Sequence, residues 1–224
     1  MRDAPVDLEI LPYGTNVAVP AGPGPSPNPM RNVIKSGQFW LLATSFALCG
    51  LTTSGLFQTH LISHGIESGF SEMTMAFSLG LMGATDIIGT IASGWICDVF
   101  GKRGPLVIYY LIRGASLMVL PYIETVESLM VFSVVYGLNW LSTVPATSAL
   151  AADLFGKENI GVVFGWIFFA HQVGAAIAAY GASFLYSWSS NYNVVFMLAG
   201  SFAMVGTGIV LCIKTVPLNS EYAN

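Results

Sequence analysis

Six long apolar stretches, separated by short polar gaps, make up most of this chain. They cover residues 39–62, 73–96, 105–123, 128–150, 161–187 and 193–213. A helix of about 20 residues rises far enough to cross a hydrocarbon core about 30 Å thick. The pattern therefore predicts an all-α polytopic membrane protein with six transmembrane helices. A soluble helical protein is the alternative, but buried helices of soluble proteins rarely extend this far without charge.

Lys and Arg residues are confined to alternate gaps, with Arg113 as the exception. The gaps precede the first stretch and follow the second, fourth and sixth, and they contain Arg2, Arg31, Lys35, Lys102, Arg103, Lys157 and Lys214. The other three gaps contain no Lys or Arg, and two of them contain Glu. Because cytoplasmic loops retain basic residues, the alternation predicts that both termini are cytoplasmic. We expect a multi-pass protein of the inner (plasma) membrane, in contact with the lipid bilayer.

Composition agrees with this class and divides the chain into three parts. Charged residues make up 9% of the chain, compared with about 25% in soluble domains. Residues 1–36, acidic and then rich in Pro and Gly, are predicted to form a disordered cytoplasmic arm. Residues 37–215 form the transmembrane bundle, and residues 216–224 a cytoplasmic tail.

Several function classes lack support in the sequence. There is no basic patch of the kind that binds nucleic acid, and no motif of an enzyme, a metal site or a cofactor fold. We therefore expect no enzymatic activity, no cofactor, no metal and no nucleic-acid partner.

Five of the polar residues within the apolar stretches are candidates for a functional site. They are Asp86, Arg113, Asn139, His171 and Gln172. At 1.5 Å per residue, the first four lie roughly 13–18 Å from the cytoplasmic ends of their stretches. An ionised side chain at a helix centre costs about 2.5–3.5 kcal/mol on insertion scales. Secondary transporters place substrate and coupling-ion sites at this depth, so we expect a substrate or proton site here. For Asn139 and His171, hydrogen bonding between helices is the alternative.

Asp86 and Arg113 lead to a specific hypothesis. We expect them to pair across the second and third spans, with Arg113 attracting a carboxylate and Asp86 accepting a proton. The alternative is a static ion pair that only orders the bundle. Pro145, within the fourth span, is expected to leave the carbonyl of Leu141 without its helical donor.

Two further patterns give expectations. Small residues at helical spacing predict close helix contacts, and they are Gly80 with Ala84, Gly89 with Ser93, Gly161 with Gly165, and Gly174 with Ala178 and Ala182. His60, His64 and Glu67 cluster near the outer end of the first span without the spacing of a metal site. We expect these three side chains to be solvated.

Residues 94–103, Gly-Trp-Ile-Cys-Asp-Val-Phe-Gly-Lys-Arg, resemble the cytoplasmic signature loop G-x-x-x-D-x-x-G-[RK]-[RK] of the major facilitator superfamily. Three segments are similar to its bacterial monocarboxylate-transporter-like and oxalate/formate-antiporter-like branch: GLMGATDIIGTIASGWICDVFGKR, TVPATSALAADLFGKENIGVVFG and AHQVGAAIAA. The resemblance extends from about Phe39 to about Lys214. Animal monocarboxylate transporters have an Asp and an Arg one turn apart on the helix that corresponds to the second span, where this chain has Asp86 and Thr90.

Members of this family normally have twelve spans in two six-helix halves. This chain resembles the second half, which implies one half-bundle with a 3+3 repeat. The resemblance also implies that the cytoplasmic loops gate the inward face, with Asp98 as a latch. The gating residues would be Gly94, Asp98, Gly101, Lys102, Arg103 and, in the echoing sequence Asp-Leu-Phe-Gly-Lys at 153–157, Asp153. The alternative is a well-anchored turn.

The function implied by the resemblance is secondary active transport of a small organic anion, monocarboxylate-like, or a similar metabolite. Transport would proceed by alternating access, with this chain as one half of the transporter. A small-molecule substrate and a second six-helix half, or a homodimer, are the expected partners. The alternative is a non-transporting truncated fragment or an interaction partner of a full-length transporter.

Overall fold

The computed structural model describes residues 29–214. The α-helices are α1 (Pro29–Val33), α2 (Gly37–Gly50), α3 (Gln58–Glu67), α4 (Glu72–Phe100), α5 (Arg103–Val119), α6 (Val126–Gly137), α7 (Thr143–Phe155), α8 (Ile160–Ser189) and α9 (Tyr192–Leu211). A π-helical segment, Leu51–Phe57, joins α2 to α3 without interrupting the rod. Short 3-10 turns at Leu120–Tyr122 and Lys157–Asn159 follow α5 and precede α8.

Five continuous helical segments in the described range are long and apolar enough to cross a membrane. They are Gly37–Glu67, Glu72–Phe100, Arg103–Tyr122, Lys157–Ser189 and Tyr192–Leu211. The predicted fourth span is not one helix, because residues 138–142 separate α6 from α7. The predicted all-α membrane half-bundle is thus confirmed, with five continuous spans and one interrupted span.

Local sequence explains where several helices begin and end. The side chains of Ser36 and Ser71 accept hydrogen bonds from backbone amides in the first turns of α2 and α4, which satisfies donors that a helix start leaves free. Gly101 and Gly156 directly follow the last residues of α4 and α7, with φ of 79° and 88°. Only glycine adopts this backbone conformation without strain. The repeated Asp-x-Phe-Gly-Lys sequence therefore encodes two equivalent helix ends.

The closest helix contacts occur at glycines. A Cβ atom added to Gly174 of α8 would collide with the backbone of Ala47 in α2. Gly89 of α4 lies in the same way against the backbone of Leu138. Because lipid tails are as apolar as the side chains, helix association in a bilayer depends on such close backbone approach.

The predicted small-residue contacts divide into two groups. Gly89 with Ser93, and Gly174 with Ala178 and Ala182, are buried between helices. Gly80 and Gly161 are exposed, and a Cβ atom at either would touch nothing within 4 Å. The contacts predicted at Gly80–Ala84 and Gly161–Gly165 are therefore not formed within this chain, because both pairs lie on outward faces of α4 and α8.

Two apolar clusters fill the bundle, one toward each end. One contains Phe46, Tyr110, Leu150 and Ile167, and the other contains Phe57, Leu117, Tyr136 and Phe196. The buried polar side chains Arg113 and Asn139 lie at the level where one cluster gives way to the other. The candidate site is therefore inside the bundle, between two apolar layers.

The terminal segments of the domain prediction fall mainly outside the described residues. This applies to residues 1–28 of the predicted arm and to the tail from residue 216. Residues 29–36 differ from the predicted disorder, because they include α1 and Val33 packs into the core. The indole N–H of Trp40 also donates to the carbonyl of Ile34 at 2.9 Å.

Candidate functional site

The interruption of the fourth span, residues 138–142, is a series of tight turns. The amides of Asn139 and Trp140 bond to carbonyls three residues earlier, each at 3.0 Å. The carbonyl of Leu141 accepts from the amide of Val144 at 2.8 Å. It therefore has a donor, contrary to the expectation from Pro145, because the chain tightens before the proline. Pro145 itself lies in the first turn of α7, where a missing amide costs little.

Arg113 of α5 supplies donors to one side of the interruption. Its side chain is 1% exposed. One terminal nitrogen, Nη2, donates to the carbonyls of Asn139 at 3.0 Å and Trp140 at 2.8 Å. The other, Nη1, donates to Cys49 Sγ of α2 at 2.7 Å. The guanidinium thus satisfies carbonyls that the interruption leaves without helical donors.

Asp86 of α4 supplies an acceptor on the other side. Its Oδ1 accepts from the amide of Leu141 at 2.8 Å and from the Thr90 hydroxyl at 3.4 Å. The Ser93 hydroxyl, further along α4, donates to the carbonyl of Ser142 at 2.7 Å. Gly89 makes these bonds possible, because its missing Cβ lets α4 approach the turn closely. Thr90, one turn along α4, is thus an uncharged partner of Asp86.

The predicted ion pair between Asp86 and Arg113 is not formed. The two side chains do not form a salt bridge with each other, whereas Lys102 forms one with Asp153 at one end of the bundle. Asp86 binds an amide and Arg113 binds carbonyls of the same interruption. Freed N–H groups carry partial positive charge and freed C=O groups partial negative charge. Each of the two ionisable side chains therefore lies closer to a backbone group of opposite partial charge than to the other side chain.

The remaining predicted site residues join this cluster unequally. The Asn139 side chain donates to the carbonyl of Tyr109 at 2.9 Å and accepts from Arg113 at 3.3 Å. His171 of α8 is buried, stacks on Phe168 and lies beside Cys49. Gln172 contacts the His171 ring at 3.1 Å but is exposed on α8. Arg113 and Asn139 thus meet directly, whereas His171 reaches them through Cys49.

Cys49 is the member of this cluster whose role the sequence did not indicate. Its sulfur contacts Arg113 and the Thr143 hydroxyl, the latter at 3.3 Å. In the sequence it is one small residue in an apolar stretch, and its depth alone matches that of the other polar residues. The nearby π-helical segment was also not predicted. It brings Phe57 into a stack with Tyr136 of α6, with ring centroids 3.9 Å apart.

The signature loop and its echo meet at one end of the bundle. Lys102 Nζ lies 2.9 Å from an Asp153 carboxylate oxygen. The Arg103 guanidinium donates to the carbonyl of Leu211 at the end of α9, where a cation is favourable to the helix dipole. Asp98 is exposed at the end of α4, and a Cβ atom at Gly94 would touch nothing within 4 Å. We call this end of the molecule, marked by Lys102 and Asp153, the salt-bridge end.

The expectation that His60 and His64 are solvated is wrong. Each is 7% exposed. Both rings lie 5.8 Å from the ring of Tyr192, and His64 also lies 5.0 Å from Phe196. The first turns of α9 cover this face of α3, which the spacing of the histidines alone did not indicate. Glu67 is exposed, as expected.

The comparisons with known proteins agree on one family. The family model of the Major Facilitator Superfamily matches residues 11–179 and 87–222. Monocarboxylate transporter 13 of Bos taurus is 26% identical over 86% of this chain and 45% of its own length. Monocarboxylate transporter 12 of Xenopus laevis is 28% identical over 78% of this chain and 38% of its own length. An uncharacterized MFS-type transporter of Bacillus subtilis, YcxA, is 26% identical over 83% and 46%. The chain spans less than half the length of each of these relatives.

Proposed function

Because the chain belongs to the Major Facilitator Superfamily, we propose that it forms one half of a secondary transporter for small organic anions. The observation that carries this proposal is the interrupted fourth span, held by Arg113 and Asp86 from two other helices. Non-helical backbone at membrane depth is tolerated where protein or a water-filled cavity satisfies it. Transporters build substrate and ion sites at such interruptions.

The charges around the interruption favour an anion that binds together with a proton. An anionic substrate approaching residues 138–142 is attracted by the Arg113 guanidinium and repelled by the Asp86 carboxylate. A proton on Asp86 removes that repulsion and also weakens its acceptor bond to the Leu141 amide. Binding of the anion therefore favours binding of the proton, and binding of the proton favours binding of the anion. The printed names of the two vertebrate relatives support a monocarboxylate as the substrate class.

Arg113 has a positioning role in this proposal. Its side chain is buried and already bonded to Cys49 and to two carbonyls. It provides a fixed positive charge, and a carboxylate that reached it would compete with the carbonyls of Asn139 and Trp140. Such competition would change the angle between α6 and α7. Asn139, His171 and Gln172 would complete the substrate or proton site around this charge.

Alternating access would use the two ends of the bundle differently. We place both termini and the salt-bridge end in the cytoplasm, following the distribution of Lys and Arg. The Lys102–Asp153 bridge would hold the inward face of this half together, with Gly94, Gly101 and Arg103 shaping the loop. Asp98, exposed at the same end, would be available to latch onto the second half.

A second candidate function is a non-transporting fragment or a partner that modulates a full-length transporter. The observation that favours it is the coverage, since the chain aligns to 45% of the bovine relative. A second half is needed to enclose a substrate between two bundles. Uptake by vesicles that contain this chain as the sole transporter would exclude the second candidate.

The test is uptake of labelled mono- and dicarboxylates by proteoliposomes that contain the purified chain, with and without an inward proton gradient. We expect gradient-stimulated uptake of monocarboxylates, lost in Arg113→Ala and no longer stimulated by the gradient in Asp86→Asn. Glu124→Gln, which removes an exposed acid between the third and fourth spans, is the matched control and should transport normally. Absence of uptake by the correctly inserted wild-type chain, both alone and reconstituted with a separate first six-helix half, would contradict the proposal.

A further inference from the structure

Three buried hydroxyl groups lie between the interrupted span and the salt-bridge end. They belong to Ser93 of α4, Tyr109 of α5 and Thr147 of α7, which are 0%, 9% and 1% exposed. Measured along each helix at 1.5 Å per residue, all three lie about 9–12 Å from the terminus at the salt-bridge end. Three helices therefore each place one hydroxyl at a similar depth in the bundle. We call Ser93, Tyr109 and Thr147 the hydroxyl layer.

Two members of the hydroxyl layer lack a hydrogen-bond partner within residues 29–214. They are Tyr109 Oη and Thr147 Oγ1. A buried hydroxyl without a partner costs about 1–3 kcal/mol, and buried groups of this kind are commonly satisfied by ordered water. The third hydroxyl, that of Ser93, donates to the carbonyl of Ser142 at 2.7 Å, and its oxygen can still accept. The layer is therefore suited to bind water inside the bundle.

The buried face of α4 differs on the two sides of Asp86. Toward the salt-bridge end its buried residues are small, and they are Gly89, Ser93 and Cys97. Toward the other end they include two methionines, and they are Met82, Ser78 and Met75. Ser93 and Cys97 also lie beside the Tyr109 side chain. Small side chains thus extend from Asp86 to the hydroxyl layer, whereas larger apolar side chains lie in the opposite direction.

The hydroxyl layer has a polar group on each side. The Thr90 hydroxyl donates to the Asp86 carboxylate at 3.4 Å. Thr90 lies three residues before Ser93, so the two side chains are neighbours on one face of α4. On the other side, the side chains of the Lys102–Asp153 pair are 20% and 33% exposed. The layer therefore separates a buried carboxylate from a partly solvated ion pair.

We propose that the hydroxyl layer, with the water that it binds, is the route by which protons move between Asp86 and the salt-bridge end. In each transfer, a hydroxyl oxygen accepts a proton from the neighbour on one side and passes its own proton to the neighbour on the other. No charge is therefore left in the layer after the transfer. At the salt-bridge end the proton passes to bulk water beside the Lys102–Asp153 pair.

This inference rests on the proposed function, which requires a proton on Asp86. It adds a direction, because it connects the proton site to one end of the molecule. It also assigns a role to Ser93, Tyr109 and Thr147. These are positioning residues, because they act on Asp86 through water and through Thr90.

The test is the rate at which Asp86 takes up a proton that is released at the salt-bridge end. The full chain is reconstituted into liposomes with this end facing the lumen, an orientation checked by protection of a C-terminal tag. A caged proton is photolysed in the lumen. Infrared spectroscopy follows the C=O stretching band of the protonated Asp86 carboxyl, which is assigned by its loss in Asp86→Asn.

Substitutions in the hydroxyl layer should slow the rise of this band. In Ser93→Ala and in Tyr109→Phe we expect a rate about tenfold lower, which corresponds to about 1.4 kcal/mol of activation free energy. Ser93→Thr retains the hydroxyl and should keep the wild-type rate. Tyr109→Phe retains the ring, so it decides the test alone if Ser93→Ala does not insert.

Ser78→Ala and Tyr136→Phe are the matched controls. They remove buried hydroxyls of the same two residue types from the other side of the interruption, where Ser78 is 0% and Tyr136 1% exposed. Both should leave the rate unchanged, since a proton from the salt-bridge end does not pass them. Equal slowing in the controls, unchanged rates in Ser93→Ala and Tyr109→Phe, or no Asp86 band at acid pH would overturn the proposal.

Transport assays separate the route from the proposed function. In Ser93→Ala and Tyr109→Phe, proton-driven net uptake should fall, whereas exchange of labelled for unlabelled substrate should continue, because exchange does not require release of the proton. Loss of exchange in both variants would indicate a structural role and overturn the route. Slowed protonation of Asp86 in a chain without uptake would contradict the proposed function alone. Wild-type uptake, with unchanged protonation rates in both variants, would contradict the route alone.

Discussion

Asp86 and Arg113 hold the same interrupted span at adjacent residues without contacting each other. The Asp86 carboxylate accepts from the Leu141 amide and the Arg113 guanidinium donates to the Trp140 carbonyl, each at 2.8 Å. A negative and a positive side chain thus bind backbone groups of opposite sign on neighbouring residues. The conformation of residues 138–142 therefore depends on the charge of both side chains, and this dependence can be tested by substitution.

Substitutions of Asp86 should separate its hydrogen bond from its charge. In Asp86→Asn the amide oxygen still accepts from the Leu141 amide, so thermal unfolding in nanodiscs should occur close to the wild-type temperature. In Asp86→Ala that buried amide loses its acceptor, which costs about 1–3 kcal/mol. Equal destabilisation by both substitutions would show that the charge, and not the hydrogen bond, holds the interruption.

Arg113 should not tolerate even a conservative replacement. Lysine retains the charge, but one ammonium group cannot reproduce the planar fork that reaches Cys49 and two carbonyls. Arg113→Met leaves both carbonyls without a donor, at about 1–3 kcal/mol each. We expect both variants to unfold at lower temperature, with Met the lower, whereas Arg31→Met, at an exposed position on α1, should not change it. Wild-type stability of Arg113→Lys would contradict the fork-like role.

The sequence predicted the membrane class and five continuous spans because each depends on local pattern. Apolar length and basic gaps are properties of contiguous residues, and Asp86, Arg113 and Asn139 are rare charges and amides in apolar stretches. The partners of these residues were not predictable in the same way. Whether Arg113 meets Asp86 or the Trp140 carbonyl depends on where the fourth span is interrupted. Pro145 indicated that a break exists but not that it precedes the proline.

Surface exposure was the least predictable property. His60 and His64 are polar side chains, for which we expected contact with solvent. Tyr192, which lies more than a hundred residues later in the sequence, covers both of them. Conversely, Gly161 and Gly165 have the spacing of a packed contact but remain open. Both outcomes depend on tertiary packing between distant segments. Spacing along one helix identifies a face but not what covers it.

Gly89 and Gly83 of α4 provide a matched pair for the close approach to the interruption. Gly89→Ala puts a methyl group into the backbone of Leu138, and such overpacking costs about 1–3 kcal/mol. Gly83→Ala adds the same methyl group where nothing lies within 4 Å. It should be neutral or stabilise the helix by up to about 1 kcal/mol. Thermal unfolding of the two variants should therefore shift in opposite directions or in one variant only, and equal shifts would contradict the contact.

The Lys102–Asp153 salt bridge should contribute little to the free energy of unfolding, although it joins the signature loop to its echo. Its side chains are 20% and 33% exposed, and pairs of this kind contribute about 0.2–1 kcal/mol. A double-mutant cycle of Lys102→Ala and Asp153→Ala, measured by unfolding, should give a coupling energy in that range, which decreases in high salt because exposed charges are screened. The cycle isolates the pair from the other contacts of Lys102. A coupling energy near zero at low salt would show that the bridge does not hold this end together. A coupling energy of several kcal/mol would instead mean that the pair is desolvated in the membrane-embedded protein. Opening of the salt-bridge end would then require protonation of Asp153 or a competing cation.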